Sequence, residues 1–291
     1  MRNGLFIALI LFCLSNAYSQ DKPRTIFWKV SKEGSKNESY LFGTFHEVNP
    51  YFFDSLTNVV DKLKGSTILF VEERISDARK QPPSEQTGWN TDKWNSLLTN
   101  TQDQVFSDFV KKAEDRAYYK LNPLLLTLTT SRSYLLNFCQ TDSALAGLMD
   151  HHIEQVAMKD RKSVQSLDTE QVSLLTEEAK KFSSLQDSLY ASYSIQFMKM
   201  MLDDDLTGCD IVSAYKRFDI NYEFDVDLLK NAGRSPLLVQ RNNRWVRLLE
   251  NAFSSNNCFV AVGYRHLMYK QGLIQQLRAL GYTVTPIPIS R

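Results

Sequence analysis

The sequence predicts an α/β fold in which a mixed sheet is built from both ends of the chain and a large helical region is inserted between them. Strand-like runs of apolar and aromatic residues lie before residue 72 and after residue 257, while helical spacing dominates the stretch between. The order strand, Gly-x-x-His, helix, glycine, strand also occurs once near each end. Because the strands of a sheet need partners along their edges, we expect the two ends to meet in one sheet.

The amino-terminal end is predicted to form a hairpin, a helix and a third strand. Thr25–Val30 and Tyr40–Phe42 flank a polar loop, which is the pattern of a β-hairpin. Tyr51–Lys64 carries apolar residues at helical spacing, and Gly65 ends it. Thr67–Val71 is a continuous apolar run between turn residues, which is typical of a strand buried on both faces.

The middle of the chain is predicted to be mainly helical. Ile75–Thr91 is polar and contains prolines and a glycine, so it is predicted to be a surface loop. Ser163–Leu167 is strand-like. Apolar spacing predicts helices over Asp92–Asn100, Gln104–Tyr119, Pro123–Asn137, Leu145–Lys159, Thr169–Lys181, Ser188–Leu202, Ile211–Phe218, Phe224–Leu229 and Pro236–Phe253.

The carboxyl-terminal end repeats the strand and helix order of the first. Cys258–Val262 reads as a buried strand, Lys270–Leu280 as a helix and Tyr282–Ile287 as a last strand. If the two ends share a sheet, the strand at 258–262 must pair with the strand at 40–42 or at 67–71.

Charge and hydropathy limit the kinds of molecule that the protein is expected to bind and the compartment in which it is expected to work. The chain has 34 Lys and Arg against 33 Asp and Glu and no basic stripe, which argues against a nucleic-acid partner. Residues 1–19 have the layout of a secretory signal peptide with cleavage after Ser19. We therefore expect residues 20–291 to form a single mature domain, secreted or periplasmic, without a stable membrane span. The oligomeric state is left open.

The cysteines leave two alternatives. Cys139, Cys209 and Cys258 remain after the predicted processing, and their spacing matches no zinc motif. One disulfide in an oxidising compartment and three buried thiols are both compatible with this pattern.

Two histidines and a glutamate are the candidate catalytic and metal-binding residues. His46 and His266 each follow a predicted strand in a Gly-x-x-His sequence that begins at Gly43 or Gly263, and Glu72 follows a third strand. Strand ends of this kind are where α/β folds collect ligands. Two imidazoles and a carboxylate suit a divalent metal that activates water, and Glu72 is either a ligand or the general base. Each glycine either takes a positive φ or lets the substrate approach the backbone closely.

Other polar residues have competing interpretations. Strand residues alternate between faces, so only one of Glu72 and Glu73 can face the site, and Glu72 directly follows the apolar run. Spacing alone favours an ordinary surface residue at Arg241. The adjacent His151 and His152 point about 100° apart on a predicted helix, so they cannot easily share a metal.

Several segments together resemble the TraB/GumN family. They are W-K-V, Y-L-F-G-T-F-H, F-V-E-E, R-N-N-R-W and V-A-V-G-Y-R-H-L, and the resemblance covers nearly the whole chain after the predicted leader. That family is similar to the Tiki proteases, the ChaN-like haem-binding proteins and the erythromycin esterases. The resemblance implies the α/β fold of that superfamily, with a large helical insertion.

The resemblance also implies a shared active site. His46, His266 and Glu72 fall on the two Gly-x-x-His motifs and the glutamate of the family. Asp168 stands where the family usually has a glutamate, and Asp168-Thr169 is also typical of a helix cap. Substrate-binding roles are implied for Gly43, Gly263, Arg241 and Asn242.

The leading hypothesis is therefore a secreted or periplasmic metal-dependent hydrolase, similar to the Tiki peptidases, with a peptide or small-molecule substrate. Mn²⁺, Co²⁺ and Zn²⁺ are the candidate cofactors. One alternative is a metal-independent hydrolase, like the erythromycin esterases, in which a histidine activates water directly. The other is a non-enzymatic haem-binding, ligand-binding or signalling protein, for which Tyr264 beside the site is a candidate haem ligand.

Overall fold

A computed structural model describes residues 23–78, 88–139, 147–168, 171–230 and 236–290 of the chain. The predicted leader lies outside the described residues. So do the middle of the predicted loop Ile75–Thr91 and the predicted starts of the helices at Leu145 and Thr169.

The two ends of the chain form one mixed sheet, as predicted. Its strands are β1 (Phe27–Ser31), β2 (Ser39–Thr44), β3 (Ile68–Val71), β4 (Ser163–Ser166), β5 (Cys258–Gly263) and β6 (Thr283–Pro286). Their order is β4-β3-β5-β2-β1-β6. β5 pairs in parallel with both β2 and β3, which confirms the long-range pairing, and β1 and β2 form the predicted antiparallel hairpin.

The central strands are almost entirely buried because their sequences are apolar on both faces. Every residue of β2 is buried, and Phe42 packs against Phe53 and Phe259. Trp28 of β1 donates its indole N–H to Tyr222 Oη at 3.0 Å, and Tyr222 Oη in turn donates to the Thr25 carbonyl oxygen at 2.7 Å. These bonds satisfy polar groups that burial would otherwise leave without partners.

Helices surround this sheet and fill the middle of the chain. They are α1 (Tyr51–Asp54), α2 (Thr57–Gly65), α3 (Ile75–Ala78), α4 (Thr91–Leu97), α5 (Asn100–Ala113), α6 (Pro123–Phe138), α7 (Met149–Lys159), α8 (Gln171–Ala179), α9 (Ser184–Leu202), α10 (Asp210–Lys216), α11 (Pro236–Phe253) and α12 (Leu273–Ala279). Among the described residues, none of these helices is long and apolar enough to cross a membrane.

Three elements differ from the sequence predictions. The helix predicted over Tyr51–Lys64 is broken, because Leu56 has a ψ of 77° and Ser55 Oγ bonds back to the Phe52 carbonyl at 2.7 Å. Phe224–Leu229 forms turns instead of a helix. The predicted loop after β3 begins with the short helix α3.

The helices of the middle build a second hydrophobic core beside the sheet. Trp94, Phe106, Tyr134 and Met198 are fully buried in it. A disulfide between Cys139 and Cys209 joins the end of α6 to the turn before α10. Cys258 is a buried free thiol at the start of β5. The alternative of three thiols is therefore wrong.

Candidate functional site

The parallel strands carry the candidate residues to one edge of the sheet. β2, β5 and β3 are neighbours and run in the same direction, so their carboxyl ends lie side by side. His46 follows β2, His266 lies in a short 3-10 helix after β5, and Glu72 directly follows β3. Ligands collect at such strand ends in α/β sheets.

The structure brings the three predicted side chains together. Nε2 of His46 and Nε2 of His266 each lie 3.7 Å from Oε1 of Glu72. The His46 side chain is 38% exposed, while those of Glu72 and His266 are 7% and 8% exposed. The cluster therefore opens to solvent on the His46 side, and the carboxylate lies beneath it.

His266 is held in one tautomer by the helix behind it. Asn242 of α11 donates its amide N–H groups to the backbone carbonyls of His266 and Gln271, so its Oδ1 faces the ring. His266 Nδ1 donates to this oxygen at 2.7 Å, which leaves Nε2 as the unprotonated nitrogen facing Glu72. Asn242 is fully buried. In this structure the Asn242 side chain therefore contacts His266 and Gln271, and the substrate-binding role that the resemblance implies for it stays a prediction.

His46 is held by an aspartate that sequence reasoning passed over. Asp150, in the first turn of α7, accepts a very short hydrogen bond from His46 Nδ1 through Oδ2. Its other oxygen, Oδ1, accepts from Thr44 Oγ1 at 2.6 Å. The sequence drew attention to the neighbouring histidines, and nothing in the spacing links Asp150 to a residue 104 positions earlier.

Glu72 has both carboxylate oxygens bonded. Oε1 accepts from the backbone N–H of Gly263 at 2.7 Å, and Oε2 accepts from Arg241 Nη2 at 2.5 Å. Arg241 comes from α11 and is 7% exposed, so it is not the surface residue that spacing alone favoured. Its Nη1 also lies 3.3 Å from His266 Nε2. Glu72, and not Glu73, is thus the carboxylate of this cluster.

Asp168 holds Arg241 from the far side. Its carboxylate accepts from Arg241 Nε at 2.6 Å, from Arg244 Nη2 at 3.0 Å and from Trp245 Nε1 at 2.8 Å. Asp168 is 3% exposed. The resemblance flagged this position, but its partners on α11 lie more than 70 residues away and emerge only in the fold.

The two glycines are required by close approach and not by a positive φ. A Cβ on Gly263 would lie 3.1 Å from Glu72 Oε1 and 3.3 Å from His46 Nε2. A Cβ on Gly43 would lie 2.9 Å from the Cβ of Tyr264. Glycine thus lets the site carboxylate and the first histidine lie against the backbone of β5.

The pKa values of Glu72, His266 and His46 are all shifted from their ordinary values. Burial acts against charge on Glu72, yet Arg241 and the two histidines outweigh it and hold the pKa of Glu72 well below its usual range. Burial, with Arg241 and His46 nearby, lowers the pKa of His266 to about 3. Burial opposes the charged form of His46 as well, but the Asp150 carboxylate outweighs it and raises the pKa of His46 to about 10.

Other candidates lie outside the cluster. His152 pairs through Nε2 with Asp54 at 2.8 Å on the protein surface. Tyr264 is 8% exposed and packs against the rings of Phe45 and Tyr215. A cleft of about 480 Å³ beside the β1–β2 turn lies at the opposite end of the sheet.

The three donor groups are chemically suited to a divalent metal, but their atoms lie slightly farther apart than in a site that holds an ion. Two imidazole nitrogens and a carboxylate oxygen face one another, and both Nδ1 atoms bond to oxygens, as metal-binding histidines do. Ligand atoms about 2.1 Å from one ion lie roughly 3.4 Å apart in a tetrahedral site, slightly closer than the 3.7 Å observed here. Among the described residues no three such side chains form a ready-made metal centre.

Comparison with known proteins identifies the family. The family model described as the TraB/PrgY/gumN family matches residues 26–286, which span the sheet and the whole candidate site. No curated protein and no solved structure matches the chain. Since the match covers nearly all of the chain, this protein belongs to the TraB/PrgY/gumN family.

Proposed function

We propose that the protein is a metal-dependent hydrolase that cleaves peptide bonds. The observation that carries the proposal is the convergence of two imidazole Nε2 atoms on one oxygen of a buried carboxylate, each at 3.7 Å. Each imidazole is anchored through its other nitrogen, His46 by Asp150 and His266 by Asn242. Such anchoring is the usual support of a metal-binding histidine.

Three of the side chains would bind an ion, and Arg241 would bind the substrate. His46 and His266 would bind Mn²⁺, Co²⁺ or Zn²⁺ through Nε2, and Glu72 Oε1 would complete the protein's share. The ion would polarise the scissile carbonyl and make a water nucleophilic near neutral pH. Glu72 is alternatively the general base that takes a proton from that water, a role that its lowered pKa makes weak. Arg241 holds Glu72 through Nη2, and its Nη1, which lies against His266 Nε2 here, would donate to a substrate oxygen once an ion occupies that nitrogen.

The charges around the cluster favour a cation. Glu72, Asp150 and Asp168 are all buried, and Arg241 and Arg244 are the cations that contact them directly. With both histidines neutral the cluster carries one more negative charge than positive, and below the raised pKa of His46 its proton cancels this excess. An ion that binds must displace the Nε2 proton of His46, so affinity should rise with pH below the raised pKa of that residue.

Export of the protein is part of the proposal. It rests on the leader-like sequence of residues 1–19, and a periplasmic or extracellular location suits the disulfide between Cys139 and Cys209.

A metal-independent hydrolase is the second candidate, and one contact favours it. The guanidinium of Arg241 lies against Nε2 of His266 at 3.3 Å, where it competes with a metal for the nitrogen lone pair. In this case the Asp150–His46 pair would activate water, as carboxylate-oriented histidines do. The rate would then rise as pH approaches 10, because only neutral His46 accepts a proton.

One experiment separates the two candidates. The purified protein is incubated with a mixed peptide library after chelation and after adding back Mn²⁺, Co²⁺ or Zn²⁺, and cleavage is followed by mass spectrometry. The proposal expects cleavage that chelation abolishes and one of the ions restores. Cleavage that resists chelation and increases toward pH 10 supports the second candidate.

The variants show whether the site is responsible. His46→Ala should abolish cleavage under either candidate, whereas His152→Ala, which removes a histidine paired with the surface carboxylate of Asp54, should keep it. Absence of cleavage by the wild-type protein under all conditions, or unchanged cleavage by His46→Ala, contradicts the proposal.

A further inference from the structure

Three hydrogen bonds join the first turn of α7 to His46 and to the end of the strand before it. Asp150 binds the His46 ring through Oδ2 and the Thr44 hydroxyl through Oδ1. One residue earlier, the backbone N–H of Met149 donates to the His46 carbonyl oxygen at 3.2 Å. Both the main chain and the side chain of His46 are therefore fixed by one helix turn that lies outside the sheet.

Asp150 is built in as a rigid acceptor. It is 8% exposed, and both of its oxygens are occupied. It lies in the first turn of α7, where the free N–H groups of the helix favour a negative charge. A buried carboxylate with two fixed partners cannot rotate freely, so it transmits the position of α7 directly to the imidazole.

We propose that Asp150 is a positioning residue that keeps the proton of His46 on Nδ1 and so aims Nε2 at Glu72. Asp150 does for His46 what Asn242 does for His266, but with a charged oxygen. The difference matters because the His46 side chain is 38% exposed and sits on a loop, whereas that of His266 is 8% exposed. A more exposed ring has fewer packing contacts to orient it, so the stronger, charge-assisted bond has more effect there.

Thr44 holds the other oxygen of Asp150. It is the last residue of β2, it is fully buried, and its hydroxyl donates to Asp150 Oδ1. The chain Thr44–Asp150–His46 thus links the end of the strand to the ring of the histidine that follows it. Loss of the Thr44 hydroxyl should loosen Asp150 without removing its charge.

The surface supplies a matched control. Asp54 Oδ1 and His152 Nε2 also form a carboxylate–histidine pair at 2.8 Å, with 46% of the Asp54 side chain exposed. Asp54→Asn removes the same kind of charge away from the cluster. Asp150→Asn, Thr44→Val and Asp54→Asn therefore compare loss of the acceptor's charge, loss of its support and loss of charge in an unrelated pair.

The first readout does not require metal or activity. The chain has four histidines, so ring nitrogen and proton resonances are few enough to assign by substitution. In the metal-free wild-type protein, the His46 Nδ1–H proton should be shifted far downfield and protected from exchange. Asp150→Asn, which keeps an acceptor oxygen but removes its charge, should move the resonance strongly upfield, Thr44→Val should move it less, and Asp54→Asn should leave it unchanged.

The second readout tests the consequence for the proposed function, on which this part rests. Titration with Co²⁺ alone, followed by visible absorption, should give an affinity about 10- to 100-fold weaker for Asp150→Asn than for wild type. Asp54→Asn should bind Co²⁺ like wild type.

The two readouts distinguish failure of the positioning role of Asp150 from failure of the metal proposal. A wild-type His46 Nδ1–H proton that exchanges freely, or one that Asp150→Asn leaves unchanged, overturns the positioning role, and the wild-type spectrum alone decides this if the variant does not fold. A protected proton in a protein that binds no Co²⁺ supports the role of Asp150 while contradicting the metal proposal.

Discussion

Arg241 Nη2 donates to Glu72 Oε2 over 2.5 Å between side chains that are 8% and 7% exposed, and this bond joins the candidate site to helix α11. The same guanidinium reaches Asp168 through Nε at 2.6 Å. One arginine therefore lies between two buried carboxylates and supplies a positive charge to both. The contact explains why Glu72 stays ionised beneath the two histidines.

Removal of that arginine should destabilise the fold strongly. Arg241→Met leaves Glu72 and Asp168 buried without their shared cation, a change that typically costs about 3–5 kcal/mol of unfolding free energy. Urea unfolding monitored by circular dichroism measures it. Arg247→Met, an exposed position on the same helix, should change the unfolding free energy by less than about 0.5 kcal/mol. Similar values for the two variants would mean that the buried ion pairs contribute nothing.

Gly263 should tolerate no side chain if the cluster is the functional site. Gly263→Ala places a methyl group 3.1 Å from Glu72 Oε1 and 3.3 Å from His46 Nε2, so both groups must move apart. We expect hydrolysis and Co²⁺ binding to fall by more than about tenfold, as small displacements in active sites do. Gly65→Ala is the control, because no atom lies within 4 Å of its added Cβ. Full activity in Gly263→Ala would show that substrate chemistry occurs elsewhere.

His46 should matter for chemistry more than for folding. Its side chain is partly exposed on a loop, whereas Leu69 of β3 is fully buried. Leu69→Ala should cost about 2–5 kcal/mol of unfolding free energy, and His46→Ala clearly less. Thermal and urea unfolding of the two variants compare them directly. Equal losses would mark His46 as a packing residue.

The disulfide should stabilise the helical middle. Cys139 and Cys209 are 70 residues apart, so their bond restricts a long loop in the unfolded chain. Changing both to serine should lower the unfolding free energy by about 2–5 kcal/mol. A reducing agent should destabilise the wild-type protein by a similar amount and leave the double variant unchanged. A wild-type protein insensitive to reductant would contradict the pairing.

The sequence was sufficient for the sheet because its signals are local. Aromatic and apolar runs mark β2, β3 and β5, and the repeated Gly-x-x-His order places His46 and His266 at equivalent strand ends. The break at Leu56 was missed because the apolar spacing continues through it. The competing bond from Ser55 to the backbone becomes evident only in three dimensions.

The residues that hold the site's side chains in place could not be predicted from the sequence, and the reason is different. Asp150 and Asp168 each act through partners more than 70 positions away. A single aspartate at a helix start is commonplace, so neither residue carries a motif of its own. Arg241 also looked like a surface residue because it shares its helix with Arg244 and Arg247, and charged residues on a helix usually face solvent. Tertiary contacts, and not local pattern, assign these roles.

The metal site is tested most directly by a crystal structure of the protein grown with Mn²⁺, with anomalous diffraction recorded to locate the ion. We expect one anomalous peak about 2.0–2.2 Å from His46 Nε2, His266 Nε2 and Glu72 Oε1. The same peak should be absent from crystals of His46→Ala. No peak at this cluster in the wild-type protein, or a peak held by other residues, would contradict it.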